Sequence, residues 1–194
     1  MKMDIRLKIF EMRSYTPIPF LLVMVIYAEP TVLTIAAGLT IAVFGEAIRF
    51  WGVSICGSET RTTGVVGATN LITDGPFGHV RNPLYVGNIL IYVGCAVMSN
   101  ALVPYLGIAA LAWFILQYQL IVSREEEHLR GAFGDEYVTY CKNVPRFFPR
   151  MSRYVGEHAF HRTADFARGL KSETRTLQGF TAVIALIILR YFVR

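Results

Sequence analysis

Five stretches of the chain are apolar over most of their length, and the polar residues gather between them. They run from about Tyr15 to Ala28, Thr31 to about Ile55, about Leu84 to Met98, Ala101 to Val122, and about Leu177 to Val193. A helix needs roughly 20 apolar residues to cross the hydrocarbon of a bilayer, within a range of about 17–25. The pattern therefore predicts an all-α integral membrane helical bundle with five transmembrane helices. The first and third stretches are short, so tilt, local thinning or longer helical ends must make up their length. Glu29-Pro30 and Ser99-Asn100 read as tight turns. The chain is then one membrane-embedded domain over 1–194: a helical hairpin at 14–55, a loop at 56–83, a second hairpin at 84–122, a polar segment at 123–176 and a last helix at 177–194.

Small residues recur inside these stretches. Gly38, Gly45 and Gly52 follow one another every seven residues, as do Gly87 and Gly94. Seven residues are close to two helical turns, so each set lines one face, where small residues let helix backbones approach closely in lipid. The segment Ser152–Arg175 is too polar to cross. Phe160, Ala164, Ala167 and Leu170 fall on one face of it, which predicts an interfacial or a solvated helix.

Composition agrees with the pattern. Hydrophobic residues make up 54% and charged residues 17%, against roughly a quarter charged in soluble domains. The net charge is +5, and its placement orients the chain. The N-terminus, Ser54–Pro83 and Ser123–Thr176 hold 16 of the 19 Lys and Arg residues, and neither tight turn holds any. The positive-inside rule puts those three segments in the cytosol and the C-terminus outside. The basic residues lie where lipid headgroups would meet them. No aromatic-basic interleaving of a nucleic-acid module is present, so the expected partner is the bilayer rather than nucleic acid. Cys56, Cys95 and Cys141 form no CxxC, and Cys56 and Cys95, in or beside apolar stretches, read as packing residues. The four histidines have no recognised metal spacing, so no metal is expected.

Three regions of the cytosolic side could carry chemistry. Glu46 and Arg49 lie i, i+3 within the second apolar stretch, where charge is costly and is buried in pairs. They read either as a structural ion pair or as an arginine that receives an anionic group. Asp74-Gly75-Pro76 and Asn82-Pro83 break the chain, with Pro83 in the first turn of the third helix and Asn82 as its N-cap. Arg124-Glu125-Glu126-Glu127-His128 follows the fourth stretch directly. It reads as a solvated face or as a carboxylate site for a ligand's ammonium group.

Four strings in order, GPFGHVRNPLYVG (75–87), EEEHL (125–129), FGDEYVTY (133–140) and VPRFFP (144–149), resemble the isoprenylcysteine carboxyl methyltransferase family and the wider group that includes phospholipid methyltransferases. FGEAIR (44–49) looks like the isoprenylcysteine branch, and the likeness covers about Phe44–Pro149. The resemblance implies S-adenosylmethionine as methyl donor, bound near the cytosolic face by a membrane fold. Carried over residue by residue, it assigns cofactor contacts to Thr69, Asn70, Leu71, Ile72, Phe77, Asn82, Pro83, Leu84 and Tyr85. It assigns the cofactor's amino group to Glu125 and the acceptor's carboxylate to Arg49. Asn82 stands where the family has histidine, and Phe77 where tyrosine is usual. Asparagine keeps a donor and an acceptor but is no general base. That bears on a mechanism needing a base and not on methylation of an ionised carboxylate. The reaction implied is carboxyl O-methylation of a prenylcysteine or similar lipophilic acceptor. The alternatives are a lipid amine methyltransferase, a sterol-type membrane reductase using a nicotinamide cofactor, and a non-enzymatic membrane scaffold.

Overall fold

Prolines and polar caps mark where the helices begin. The computed structural model describes residues 5–57, 71–156 and 162–193. All regular structure among them is helical. α1 (Ile5–Met12) is followed by α2 (Pro17–Ile26), with Pro17 at its first position and a bend of 46° between the two. Thr31 starts α3 (Val32–Cys56): its hydroxyl accepts from the Thr34 amide at 3.1 Å, and Thr34 Oγ1 accepts from the Thr31 amide at 2.8 Å. This reciprocal pair is a capping box. A 3₁₀ turn at Gly75–Gly78 precedes α4 (Pro83–Ser99), which ends on Asn100 in the left-handed conformation at φ 51°. α5 (Tyr105–Asn143) and α6 (Phe166–Val193) complete the chain.

The repeated glycines are the contact between α3 and α4. A Cβ on Gly45 would stand 2.7 Å from the Gly87 carbonyl oxygen, and one on Gly87 would stand 2.6 Å from that of Gly45. Gly38 and Gly94 face each other in the same way one step along. The two seven-residue series therefore run antiparallel through one seam, closer than any side chain allows. A core of Met24, Ile91, Cys95, Ala110, Phe114, Tyr118 and Ile121 fills the space between α2, α4 and α5.

The two tight turns lie together at one end of the bundle. The Glu29 amide donates to the Ser99 carbonyl at 2.8 Å, and Asn100 Nδ2 donates to the Glu29 carbonyl at 3.1 Å. The C-terminal part of α6 is at the same end, where Arg190 donates to the Ile26 carbonyl at 3.2 Å. The start of α6 is at the other end, with the Asp165 amide on the Ser54 carbonyl at 2.8 Å.

α3, α5 and α6 are each long and apolar enough to cross a membrane, and the bent pair of α1 and α2 passes the same test as one span. α4 has 17 residues. At about 1.5 Å per residue it is some 25 Å long, a little less than the ~30 Å hydrocarbon layer. Leu33, Val32, Ile108 and Phe192 are each more than half exposed. Apolar surface of this extent, outward from the bundle, belongs against lipid.

Two expected boundaries move. α5 does not stop at Val122 but continues to Asn143, bending at Gly134, whose φ of 52° and ψ of −126° suit glycine alone. Among the described residues of the Ser152–Arg175 segment there is also no separate interfacial helix. The Arg168 amide donates to Asp165 Oδ1 at 2.9 Å, which caps a helix that begins at Phe166 and runs straight into the last apolar stretch. Ala167 and Leu170 are thus in the first turns of α6, while Phe160 lies outside the described residues.

Candidate active site

The loop before α4 is held by the polar half of α5 and the segment that follows it. Arg81 donates to the carbonyls of Cys141 and Val144 at 2.8 and 3.0 Å, and its Nη2 stands 3.0 Å from Glu126 Oε1. Arg146 reaches the same carboxylate through Nε at 3.0 Å and through Nη2. Glu126 is 3% exposed, so two guanidiniums share one buried carboxylate. The Tyr140 hydroxyl donates to the Phe77 carbonyl at 2.7 Å, and Asp74 accepts from Arg153. Asn82 occupies the N-cap position, yet its side chain makes no cap bond. Nδ2 instead donates to the Arg146 carbonyl at 3.1 Å. The expected cap is corrected: the side chain is held by its Nδ2 on the 144–149 segment, its oxygen accepts from none of the first helical amides, and Pro83 already removes one orphan donor from the helix start.

These ties shape one cavity of about 990 Å³ at the end of the bundle opposite the tight turns. Leu71, Ile72, Phe77, Asn82, Pro83, Leu84, Tyr85, Glu125 and Arg49 all line it. Thr69 and Asn70 lie outside the described residues. The Tyr85 hydroxyl donates to Glu125 Oε1 at 2.7 Å, and the Tyr85 ring packs on Tyr118 with centroids 4.7 Å apart. Glu125 and Glu126 point in different directions because neighbours on a helix do not share a face. Glu127 is 59% exposed and pairs with Arg6 at 2.6 Å. The cavity passes from a polar end, with Arg124, Glu125 and His128, to the apolar faces of α2 and α6 at Leu21, Phe180 and Val183.

Arg49 is paired, but mainly not with Glu46. Nη2 donates to both oxygens of Glu173 at 2.8 Å, and Nη1 donates to Asn88 Oδ1 at 2.6 Å. Nε stands 3.8 Å from Glu46 Oε2 without a hydrogen bond. An i, i+3 neighbour cannot bring its carboxylate round to the end of so long a side chain as well as a residue from a facing helix can. Gly87 makes room for this arginine, since a Cβ there would meet Arg49 Cγ. Glu173 and Asn88 line the cavity and are missing from the sequence reading. A signal for Glu173 exists in the sequence. It precedes Phe180 and Ile187 by seven and fourteen residues and so belongs to the buried face of α6, where Gly169 and Ile187 also lie.

Among the described residues no group of three or more His, Cys, Asp and Glu side chains is placed to hold a metal ion.

No solved structure matches the chain. The cobalt-zinc-cadmium resistance protein CzcN of Cupriavidus metallidurans is 35% identical over 68% of this chain and 55% of its own length. The nickel-cobalt-cadmium resistance protein NccN of Alcaligenes xylosoxydans xylosoxydans is 33% identical over 76% of this chain and 63% of its own. The chain thus spans little more than half the length of these curated relatives. The protein-S-isoprenylcysteine O-methyltransferase of Schizosaccharomyces pombe is 33% identical over 41% of this chain and 33% of its own. Residues 33–136, which carry α3, α4, the loop between them and most of α5, match the family described as phospholipid methyltransferase. With more than half its length inside that match, the chain belongs to this family of membrane methyltransferases.

Proposed function

We propose that this protein methylates the carboxylate of a prenylcysteine or similar lipophilic acceptor, with S-adenosylmethionine as donor, at the cytosolic face of a membrane. The observation that carries the reading is the convergence of Arg49, Tyr85, Glu125 and the 71–85 loop on one cavity that is polar at one end and apolar at the other. Its volume of about 990 Å³ is at the upper end of the ~300–1,000 Å³ usual for small-molecule sites, enough for a nucleoside and part of a lipid. The donor set fits a charged, amphipathic methyl donor. Glu125 supplies a carboxylate for an ammonium group, and Phe77, Leu84 and Tyr85 supply apolar walls.

When bound, S-adenosylmethionine supplies a methyl group on a sulfonium sulfur, which a carboxylate oxygen takes as the C–S bond breaks, giving a methyl ester and S-adenosylhomocysteine. No proton needs to move, so asparagine at position 82 is no obstacle. The residues contribute position and dryness. Arg49 orients the acceptor, Glu125 anchors the donor, and the helix faces exclude water from a step in which charge disappears.

A second reading has its own support. Glu46 and Glu173 set two carboxylates against the one guanidinium of Arg49, which favours an acceptor that brings positive charge, such as a lipid amine. The names of CzcN and NccN speak of metal resistance and point to no methyl acceptor. Detergent-purified protein should be stabilised against heat by S-adenosylhomocysteine and not by NADPH. Radiolabelled methyl transfer to N-acetyl-S-farnesylcysteine then separates the two acceptors from each other. Stabilisation by NADPH alone would remove the methyltransferase reading.

A further inference from the structure

Arg49 already holds a carboxylate. Both oxygens of Glu173 accept from its Nη2 at 2.8 Å, Glu173 is 1% exposed, and both residues line the cavity. The remaining terminal nitrogen is taken by Asn88, and Nε is buried behind, toward Glu46. Glu46 does not line the cavity, whereas Glu173 does. An acceptor carboxylate entering the cavity therefore meets Arg49 at the position Glu173 occupies.

We propose that Glu173 is a resident stand-in for the acceptor's carboxylate and sets the specificity of the site: an acidic acceptor gains Arg49 only by displacing it. This rests on the carboxylate reading of the function. The physical reason is charge. Glu173 already gives Arg49 a bidentate carboxylate partner, and a second carboxylate brought beside it in a dry cluster would meet like charge. Exchange of one carboxylate for another keeps the local charge constant. It also explains why a buried arginine can stand ready in an apolar helix, since a guanidinium without a partner there would be expensive. Glu173 lies in the first half of α6, at the end of the bundle that holds the cavity. Arg175 and Thr176, within the following turn, also line the cavity, so a swing of the side chain along the helix brings its carboxylate toward a cation.

An affinity comparison tests this without relying on turnover. N-acetyl-S-farnesylcysteine and its methyl ester have the same tail, and only the acid offers a carboxylate. Binding of each is measured by calorimetry to detergent-purified wild type and to Glu173→Gln, with melting temperature as the folding control. Glu173→Gln leaves Arg49 balanced by Glu46, so the variant is expected to fold. The apparent affinity of a ligand falls in proportion to the fraction of time its partner is free, so the acid should bind the variant about tenfold or more tightly than wild type if Glu173 holds Arg49 nine-tenths of the time. The ester should bind both alike. An acid affinity that stays equal or falls in a folded variant overturns the proposal. So does an equal gain by the ester, which would mean that the substitution only opened space. Should Glu173→Gln not fold, Glu173→Ala serves in its place, with the same two outcomes. Methyl transfer by the wild type is scored separately. Its absence would count against the proposed function and leave the acid–ester comparison readable.

Discussion

Adjacent carboxylates in the 125–127 run have three different fates, and helix geometry decides each. Glu125 lines the cavity and accepts from Tyr85, Glu126 also borders the cavity but is held between Arg81 and Arg146, and Glu127 meets Arg6 at the surface. Substitution should separate them. Glu125→Gln removes the charge that would face the donor's ammonium. A hydrogen bond to a charged group is worth about 1.5–3 kcal/mol, so S-adenosylhomocysteine should bind roughly ten- to hundredfold more weakly, with little change in melting temperature. Unaltered affinity by calorimetry would take Glu125 out of the site. Glu126→Gln should act mainly on stability, since its carboxylate is shared by two guanidiniums. Breaking a buried pair by removing one partner costs about 3–5 kcal/mol, because the other charge stays buried. The loop before α4 would lose its anchor, and a folded variant with an unchanged melting temperature would show that the carbonyls on Arg81 suffice. Glu127→Gln should change neither quantity, as exposed pairs contribute about 0–1 kcal/mol.

At the scale of elements, the glycine seam between α3 and α4 sets where Arg49 sits. Gly87 faces both the Gly45 carbonyl oxygen and the stem of Arg49. Gly87→Val should therefore push the helices apart and shift the guanidinium. Overpacking of this kind costs about 1–3 kcal/mol, to be read as a lower melting temperature together with lost methyl transfer. Gly179 on α6 is different, since a Cβ there meets nothing within 4 Å and the residue lines the apolar end of the cavity. Gly179→Leu should leave S-adenosylhomocysteine affinity alone and raise the KM of a farnesyl acceptor about fivefold or more, because the added side chain takes space the tail needs. An unchanged KM would place the tail elsewhere.

The seam was legible in the sequence because seven-residue spacing is a local property of one helix. The pairing of Gly45 with Gly87, by contrast, follows only from the antiparallel hairpin. Glu173 was not legible in the same way. A single carboxylate among Arg168, Lys171 and Arg175 looks like part of a solvated face, and its partner is 124 residues away. The start of α6 was misplaced for a related reason: hydropathy marks where lipid begins, whereas Asp165 marks where the helix begins. Likewise Asn82 stands where the sequence calls for a cap, yet its side chain is held through Nδ2 by the Arg146 carbonyl, 64 residues on, and caps nothing.

For the whole molecule the question is which end faces the cytosol. The structure puts both tight turns and the end of α6 at one end, and the cavity with its polar lining at the other. The basic residues gather at the cavity end, in α1, in the polar half of α5 and in the first turns of α6. Positive charge is retained on the cytosolic side during insertion, so the cavity should open there, where S-adenosylmethionine is made. The far end has little to oppose this. Arg190 is its one arginine among the described residues, and it reaches the Ile26 carbonyl rather than an acidic partner. A single cysteine placed at Asn100, in a background where Cys56, Cys95 and Cys141 are replaced by Ala or Ser, should then react with an impermeant maleimide added outside intact cells. A cysteine at Glu136, on the polar part of α5, should react only after the membrane is opened. The pair reports the crossing of α5 and the orientation, while the contact of Arg190 with the turn end requires an odd number of crossings between a cavity-end N-terminus and the end of α6. Labelling of Glu136→Cys in intact cells, with Asn100→Cys protected, would reverse the orientation and place the methyl donor's entrance on the wrong side for a cytosolic cofactor.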